Sequence, residues 1–269
     1  MTPLPVVKAQ AFGNDFILVD ARDLEPARDL AQFARAVCER RRGIGADGLI
    51  VYSDSGGAIS MRLVNADGSR SEISGNGVRC LGAWIVAARG GSTEHRVGLD
   101  ISTEAGPKHL ELLGVADGRY TFRAAMGAPE QMALERLHVA GSTVEAVTLR
   151  VGNPQCVVLG AATEERLRTL AAALAVHPRF PEGTNVELAE IEAPDRVRIL
   201  IWERGVGPTE ASGTGACAAA VAAIQFGGAS RDMQVASPGG VQRVEWTDEG
   251  LFLTGWAAIV AEAKWLGAA

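Results

Sequence analysis

Two stretches decide the fold: Asn65-Ala-Asp-Gly-Ser-Arg-Ser-Glu-Ile-Ser74-Gly-Asn-Gly77 and Glu203-Arg-Gly-Val-Gly-Pro-Thr-Glu-Ala-Ser212-Gly-Thr-Gly215. Ser74 and Ser212 are 138 positions apart, as are Asn65 and Glu203. Each stretch runs into a small-residue, helix-like segment that ends in Gly-Gly, at Gly90-Gly91 and Gly227-Gly228. The offset recurs outward. Gly45-Ala-Asp47-Gly matches Gly183-Thr-Asn185-Val at 138, and Gly13-Asn14 matches Gly152-Asn153 at 139. A solenoid repeat has a period of roughly 20–50 residues, so this spacing marks a duplicated domain. The expected fold is α/β (α+β): two pseudo-symmetric halves, each a mostly antiparallel sheet wrapped around a central helix, with the two Ser-Gly-x-Gly turns directed at each other. The boundaries expected are 1–125 for the first half, with the C-terminal strand 258–269 as a candidate addition to it, and 126–269 for the second.

Length and composition suit that plan. The chain has 269 residues, 47% of them hydrophobic, and a net charge of −6, enough for two ordinary cores. Charges of both signs are interspersed, which argues against a nucleic-acid surface; the Arg40-Arg41-Arg42 run reads as a complement to a helix end. The longest apolar run, Ala216–Ile224, falls far short of a membrane span. The N-terminal residues lack the pattern of a secretory signal. The four cysteines, Cys38, Cys80, Cys156 and Cys217, show no metal-ligand spacing. These features predict a cytoplasmic protein with reduced thiols and no metal.

Along the chain, Val6–Asp20 reads as a strand pair around Gly13-Asn14, and the run Phe16–Val19 as a strand buried on both faces. Leu30, Phe33, Ala34 and Val37 share a helical face. Strands are expected at 49–52, 59–64, 97–103, 109–113, 120–124 and 197–202, then 233–236, 242–246, 251–255 and 258–263, and the second half opens near Val144–Val151. Helices are expected from about Asn76 to Arg89 and from Thr163 to Leu174. Ala216–Ile224 has no polar face and predicts a helix buried all round.

A Gly-rich turn entering a helix offers unpaired N–H groups and a positive dipole end. Gly75, Asn76, Gly213 and Thr214 are therefore candidate donors to a carboxylate. Asn14, Asn65, Asn153, Asn185, Glu203 and Arg204 supply polar groups in the flanking turns, and an Arg suits bidentate carboxylate recognition. The ligand so implied is a small amino acid with a second charged end. Taken singly, Ser before a helix start is a preferred N-cap and the other motifs are ordinary turn chemistry. Their recurrence at matched positions points to a shared ligand site.

These residues resemble the diaminopimelate epimerase family over almost the whole chain. The matching motifs are Gly13-Asn-Asp-Phe, Gly43-Ile-Gly-Ala-Asp47, Asn65-Ala-Asp-Gly, Gly75-Asn-Gly-Val-Arg-Cys80, Gly152-Asn-Pro, Gly183-Thr-Asn185-Val-Glu, Glu203-Arg-Gly-Val-Gly and Gly213-Thr-Gly-Ala-Cys217. The resemblance implies a cofactor-independent isomerase that removes a proton from one face of an amino acid and returns one to the other. It implies that Asn65, Asn185 and Arg204 hold the far end of the substrate, with Gly75, Asn76, Gly213 and Thr214 at its reacting carboxylate. Monomer and homodimer are both open.

The sequence departs from the family pattern at the chemistry. The two catalytic cysteine positions carry Ser74 and Ser212; Gln155 stands where a histidine is usual, Gly48 where a glutamine is, and Glu210 where an apolar residue is. Cys80 and Cys217 match other family cysteines and read as core residues. A serine hydroxyl is far too weakly acidic to replace a thiolate without a neighbouring base. The candidate catalytic set is Ser74, Ser212, Glu203 and Glu210. Glu210-Ala-Ser212 mirrors Glu72-Ile-Ser74, and in extended backbone residues two apart point the same way. Three readings stay open: epimerisation with other bases, a different proton shift or dehydration using Glu203 or Glu210, and an inactive ligand-binding paralogue.

Overall fold

The computed structural model describes residues 3–90, 97–139 and 141–267; Gly91 of the first Gly-Gly pair lies outside the described residues. The fold is mixed α/β, dominated by strands and built as two repeated halves. The chain divides into two compact units, Met1–Ala124 with Trp256–Ala269, and Ala125–Gly255.

Unit 1 contains β1 (Leu4–Ala11), β2 (Asn14–Asp20), α1 (Leu30–Cys38), β3 (Gly48–Ser55), β4 (Ala58–Asn65), β5 (Arg70–Ser71), α2 (Gly75–Ala88), β6 (Gly98–Thr103), β7 (Gly106–Ala116) and most of β8 (Arg119–Gly127). β1–β2 and β3–β4 pair antiparallel and β2–β3 parallel. β4 is antiparallel to β5 and parallel to β6, and β6–β7 and β7–β8 are antiparallel. β2 is buried from Asp15 to Asp20, as its unbroken apolar run requires of a strand covered on both faces. Asp29 caps α1 by accepting from the N–H groups of Ala31 and Gln32.

Unit 2 contains β9 (Glu130–Val139), β10 (Ser142–Val151), β11 (Asn153–Leu159), α3 (Glu164–Arg166), a π-helical turn (Leu167–Ala171), α4 (Ala172–Ala175), β12 (Asn185–Ala193), β13 (Arg196–Glu203), β14 (Gly207–Thr209), α5 (Gly213–Gly227), β15 (Asp232–Ser237), β16 (Gly240–Thr247) and the start of β17 (Gly250–Trp265). Its pairing repeats that of unit 1. β10–β11 are antiparallel, β11–β12 parallel and β12–β13 antiparallel. β13 is antiparallel to β14 and parallel to β15, and antiparallel β15–β16 and β16–β17 follow. Ala216–Ala223 are almost fully buried. Alanine suits such a position because it loses no side-chain entropy in a helix and lets strands pack close.

The structure amends three expectations. Thr163 is the N-cap of α3 and accepts from the Arg166 N–H, so it precedes the helix. The two pieces expected at 251–255 and 258–263 are one sixteen-residue strand, β17. Its early residues pair with β16 in unit 2, and those from Ala258 onward pair with β1 in unit 1. β9, which the sequence pattern did not mark, pairs with β10 in unit 2, as the end of β17 pairs with β1.

Candidate functional site

Ser74 and Ser212 adopt the same backbone conformation, φ −132°, ψ 122° and φ −137°, ψ 130°. Each is the N-cap of its long helix. Ser74 Oγ accepts from the Gly77 N–H at 3.1 Å, and Ser212 Oγ from the Gly215 N–H at 3.1 Å. A helix start carries N–H groups without intrahelical partners. The hydroxyl takes one of them in each half, and Gly75, Asn76, Gly213 and Thr214 form the rest of each first turn. Ser212 is buried and lies 3.4 Å from the Thr214 hydroxyl, whereas Ser74 is half-buried.

In unit 1 the turn residues hold one another. Asn76 Nδ2 donates to Asn14 Oδ1 at 3.2 Å, and Asn14 Nδ2 donates to Asp47 Oδ2 at 2.7 Å. Buried Arg79 donates to Asn76 Oδ1 at 2.5 Å. Arg40 bridges Asp15 and Asp47 at 2.9 and 2.8 Å. Burial works to raise the Asp15 carboxyl, but hydrogen bonds from Arg40 and Lys8 outweigh it and hold that group below its ordinary value. Asn65 spends its side chain on its own turn, donating to Ser69 Oγ at 3.0 Å.

In unit 2, Asn185 Oδ1 accepts from the Arg204 N–H at 2.9 Å, and the exposed Arg204 guanidinium reaches the Glu182 carbonyl at 3.3 Å. Gly183 makes room for that arginine. Its φ is +75°, and a Cβ there would lie 3.1 Å from the Arg204 stem. Asn153 Oδ1 accepts from Gln155 Nε2 at 2.7 Å. Glu203 is half-buried at the end of β13, and Glu210 is exposed, its carbonyl accepting from the Gly239 N–H at 2.9 Å.

Beneath the α5 start lies a residue that the sequence reading did not single out. Glu187 is fully buried, and neither carboxyl oxygen has a hydrogen-bond partner among the described residues. β11 and β12 pair Gln155 with Asn185 and Val157 with Glu187. Val157 packs with the alanines of α5, so Gln155, Asn185 and Glu187 share the face toward that helix. A Cβ added to Gly215 would lie 2.6 Å from Glu187 Oε1 and 3.2 Å from Ser212 Oγ. Burial, and next the charge of Glu203, push the Glu187 carboxyl well above the ordinary glutamate value. The available signal was one acidic residue inside an apolar strand, two positions from Asn185. The same strand register shifts one correspondence: Asn185 aligns with Gly48, not Asp47.

All four cysteines are free and buried. Burial pushes the Cys38 and Cys156 thiols up to about 12 and the Cys80 thiol higher still, so none of these three is a thiolate near neutral pH. No cluster of three or more metal-ligating side chains occurs among the described residues. None of the described helices is long and apolar enough to cross a membrane. A cavity of about 460 Å³ in unit 1, lined in part by Leu18, Asp20, Arg22, Tyr52 and Trp84, includes none of the half-site residues.

The family profile described as diaminopimelate epimerase matches residues 6–131 and 147–260. The diaminopimelate epimerase of Desulforudis audaxviator is 39% identical, across 97% of this chain and 99% of that protein. The one from Heliobacterium modesticaldum is 38% identical, across 94% and 96%. Among solved structures, a predicted epimerase from Pseudomonas aeruginosa shares the fold at TM-score 0.75 and 16% identity, covering 98% of this chain and 100% of that one. A hydroxyproline epimerase from Agrobacterium vitis, solved with bound trans-4-hydroxy-L-proline, does so at TM-score 0.72 and 14% identity, covering 98% and 91%. With the duplicated helix starts, these likenesses make the chain a member of the diaminopimelate epimerase family, a family of isomerases.

Proposed function

We propose that the chain is a cofactor-independent epimerase acting on diaminopimelate, interconverting the LL and meso forms, with serines at both proton-handling positions. The carrying observation is the pair of like-shaped N-caps, Ser74 and Ser212, each on the first turn of a long buried helix. The first-turn groups of Gly75, Asn76, Gly213 and Thr214 bind the reacting carboxylate, whose negative charge a helix N-terminus favours. Asn14, Asn65, Asn153, Asn185 and Arg204 orient the remainder of the substrate. Ser74 and Ser212 handle the proton at the reacting carbon, with Glu203 and Glu210 as candidate bases. The pathway served is that of lysine and peptidoglycan precursors, in the cytoplasm.

A second reading is ligand binding without turnover. It is favoured by the commitment of both hydroxyls to capping and by their weak acidity. Incubation with LL-diaminopimelate in deuterated water, followed by mass spectrometry, separates the two. Deuterium at the α-carbon is the expected result. Calorimetric binding with no exchange would establish the second reading instead, and a product of altered mass would identify a different proton shift or dehydration.

A further inference from the structure

We propose that Glu187 is the proton-holding partner of Ser212, passing a proton to and from that hydroxyl as the hydroxyl exchanges one with the α-carbon of the bound amino acid. Glu187 is thereby a positioning residue that acts through Ser212, and its catalytic use rests on the epimerase reading above. Three observations place it. Its carboxyl is fully buried and unpartnered, a costly state that a structural side chain rarely keeps. Glu187 Oε1 and Ser212 Oγ flank a single methyl-sized point above Gly215. The corresponding residue of unit 1 is apolar: strand pairing aligns Ile50 with Leu18 as it aligns Glu187 with Val157.

The step balances within the protein. In one direction the Cα–H bond breaks and its electron pair stays on the substrate. The proton bonds to Ser212 Oγ while the original Oγ–H proton moves to the Glu187 carboxylate. The reverse direction returns a proton by the same route, and no oxidant or co-reactant is consumed. Such a relay answers the weak acidity of serine, because a carboxylate in a dry site is a stronger base than one in water. The groups that act on Glu187 are the Glu203 carboxylate from β13, the Cys156 thiol from β11 and the positive start of α5. Glu203 favours the protonated acid; the helix start favours the anion. Catalytic hydrogen bonds are commonly long without substrate and tighten with it.

The test has two arms on the whole protein. The first is infrared spectroscopy of the ligand-free chain at neutral pH. The expected result is a protonated-carboxyl stretch that disappears in Glu187→Gln and changes frequency or titration midpoint in Ser212→Ala. Absence of that band, or a band indifferent to Ser212→Ala, overturns the proposal whatever the enzyme does. The second arm is α-deuterium exchange with diaminopimelate. Glu187→Gln should lower the rate at least tenfold with binding retained. Glu187→Asp should recover part of the rate with an altered pH profile. In the wild type the rate should rise with pH through the Glu187 titration. Unchanged exchange in a folded Glu187→Gln overturns the proposal and leaves the epimerase reading intact. A wild type that neither binds nor exchanges defeats the epimerase reading, while the infrared arm still decides whether Glu187 and Ser212 share a proton.

Discussion

The first turns of α2 and α5 match in capping residue, backbone angles and hydrogen-bond length, yet they rest on different floors. A Cβ at Gly77 would meet Ile50 at 3.1 Å and Phe16 at 3.6 Å; one at Gly215 would meet the carboxyl of Glu187. By strand register, Gln155 and Glu187 replace Phe16 and Ile50. Duplication therefore preserved the backbone grip, which depends on helix geometry and glycine, and let the side chains beneath it diverge. One floor is hydrocarbon; the other holds a buried carboxyl and an amide.

The sharpest way to break this comparison is to fill both floors. Gly215→Ala should destabilise unit 2 by about 1–3 kcal/mol through overpacking against buried Glu187, offset by ~1 kcal/mol of helix propensity, and should abolish exchange. Gly77→Ala, against side chains that yield, should fall within ~1 kcal/mol of wild type. Paired denaturant titrations and exchange assays would show it, and equal effects at the two glycines would erase the distinction.

The pH dependence comes next. The folded Glu187 carboxyl lies above its unfolded value of about 4.3, so the folded state holds the extra proton. Its contribution is complete below the unfolded value and is lost as pH rises through the folded one, at up to ~1.4 kcal/mol per pH unit. Glu187→Gln removes that slope, so its melting temperature should gain on wild type as pH rises from 5 to 8. A constant gap across that range would contradict the protonated state. The caps should then behave alike in stability and unlike in chemistry. Ser74→Ala and Ser212→Ala should each cost ~1 kcal/mol in chemical denaturation, with the larger slowing of deuterium exchange expected in Ser212→Ala. Smallest of all, Asn14→Ala should weaken unit 1 by about 0.5 kcal/mol by opening the Asn76–Asn14–Asp47 chain, read as a small shift of the denaturation midpoint.

The duplication, both long helices and the Ser-Gly-x-Gly caps were legible because each is a local pattern repeated at one spacing. β9 was not: Glu130-Gln-Met-Ala-Leu-Glu-Arg-Leu is rich in helix formers and mostly exposed, so pairing with β10 overrides propensity. The Asn14–Asp47 bond joins residues 33 apart, and no short window contains both. Glu187 was quoted within a family motif but carried no mark of its own. A glutamate in an extended segment ordinarily reads as facing water, and only the register of β11 against β12 turns it inward. Glu210 shows the converse. Its spacing from Ser212 marked it in the sequence, and it lies exposed two residues before buried Ser212.

The shared strand β17 has a consequence for dissection of the protein. A fragment ending at residue 125 would carry β1 without the antiparallel neighbour that Ala258–Trp265 provides, and a bare edge of that kind invites self-association. Supplying residues 256–267 as a separate peptide should convert such a fragment from sticky to well-behaved. A circular permutant that links residue 267 to residue 3 and opens the loop at 248–249 would fuse this tail to the segment it completes.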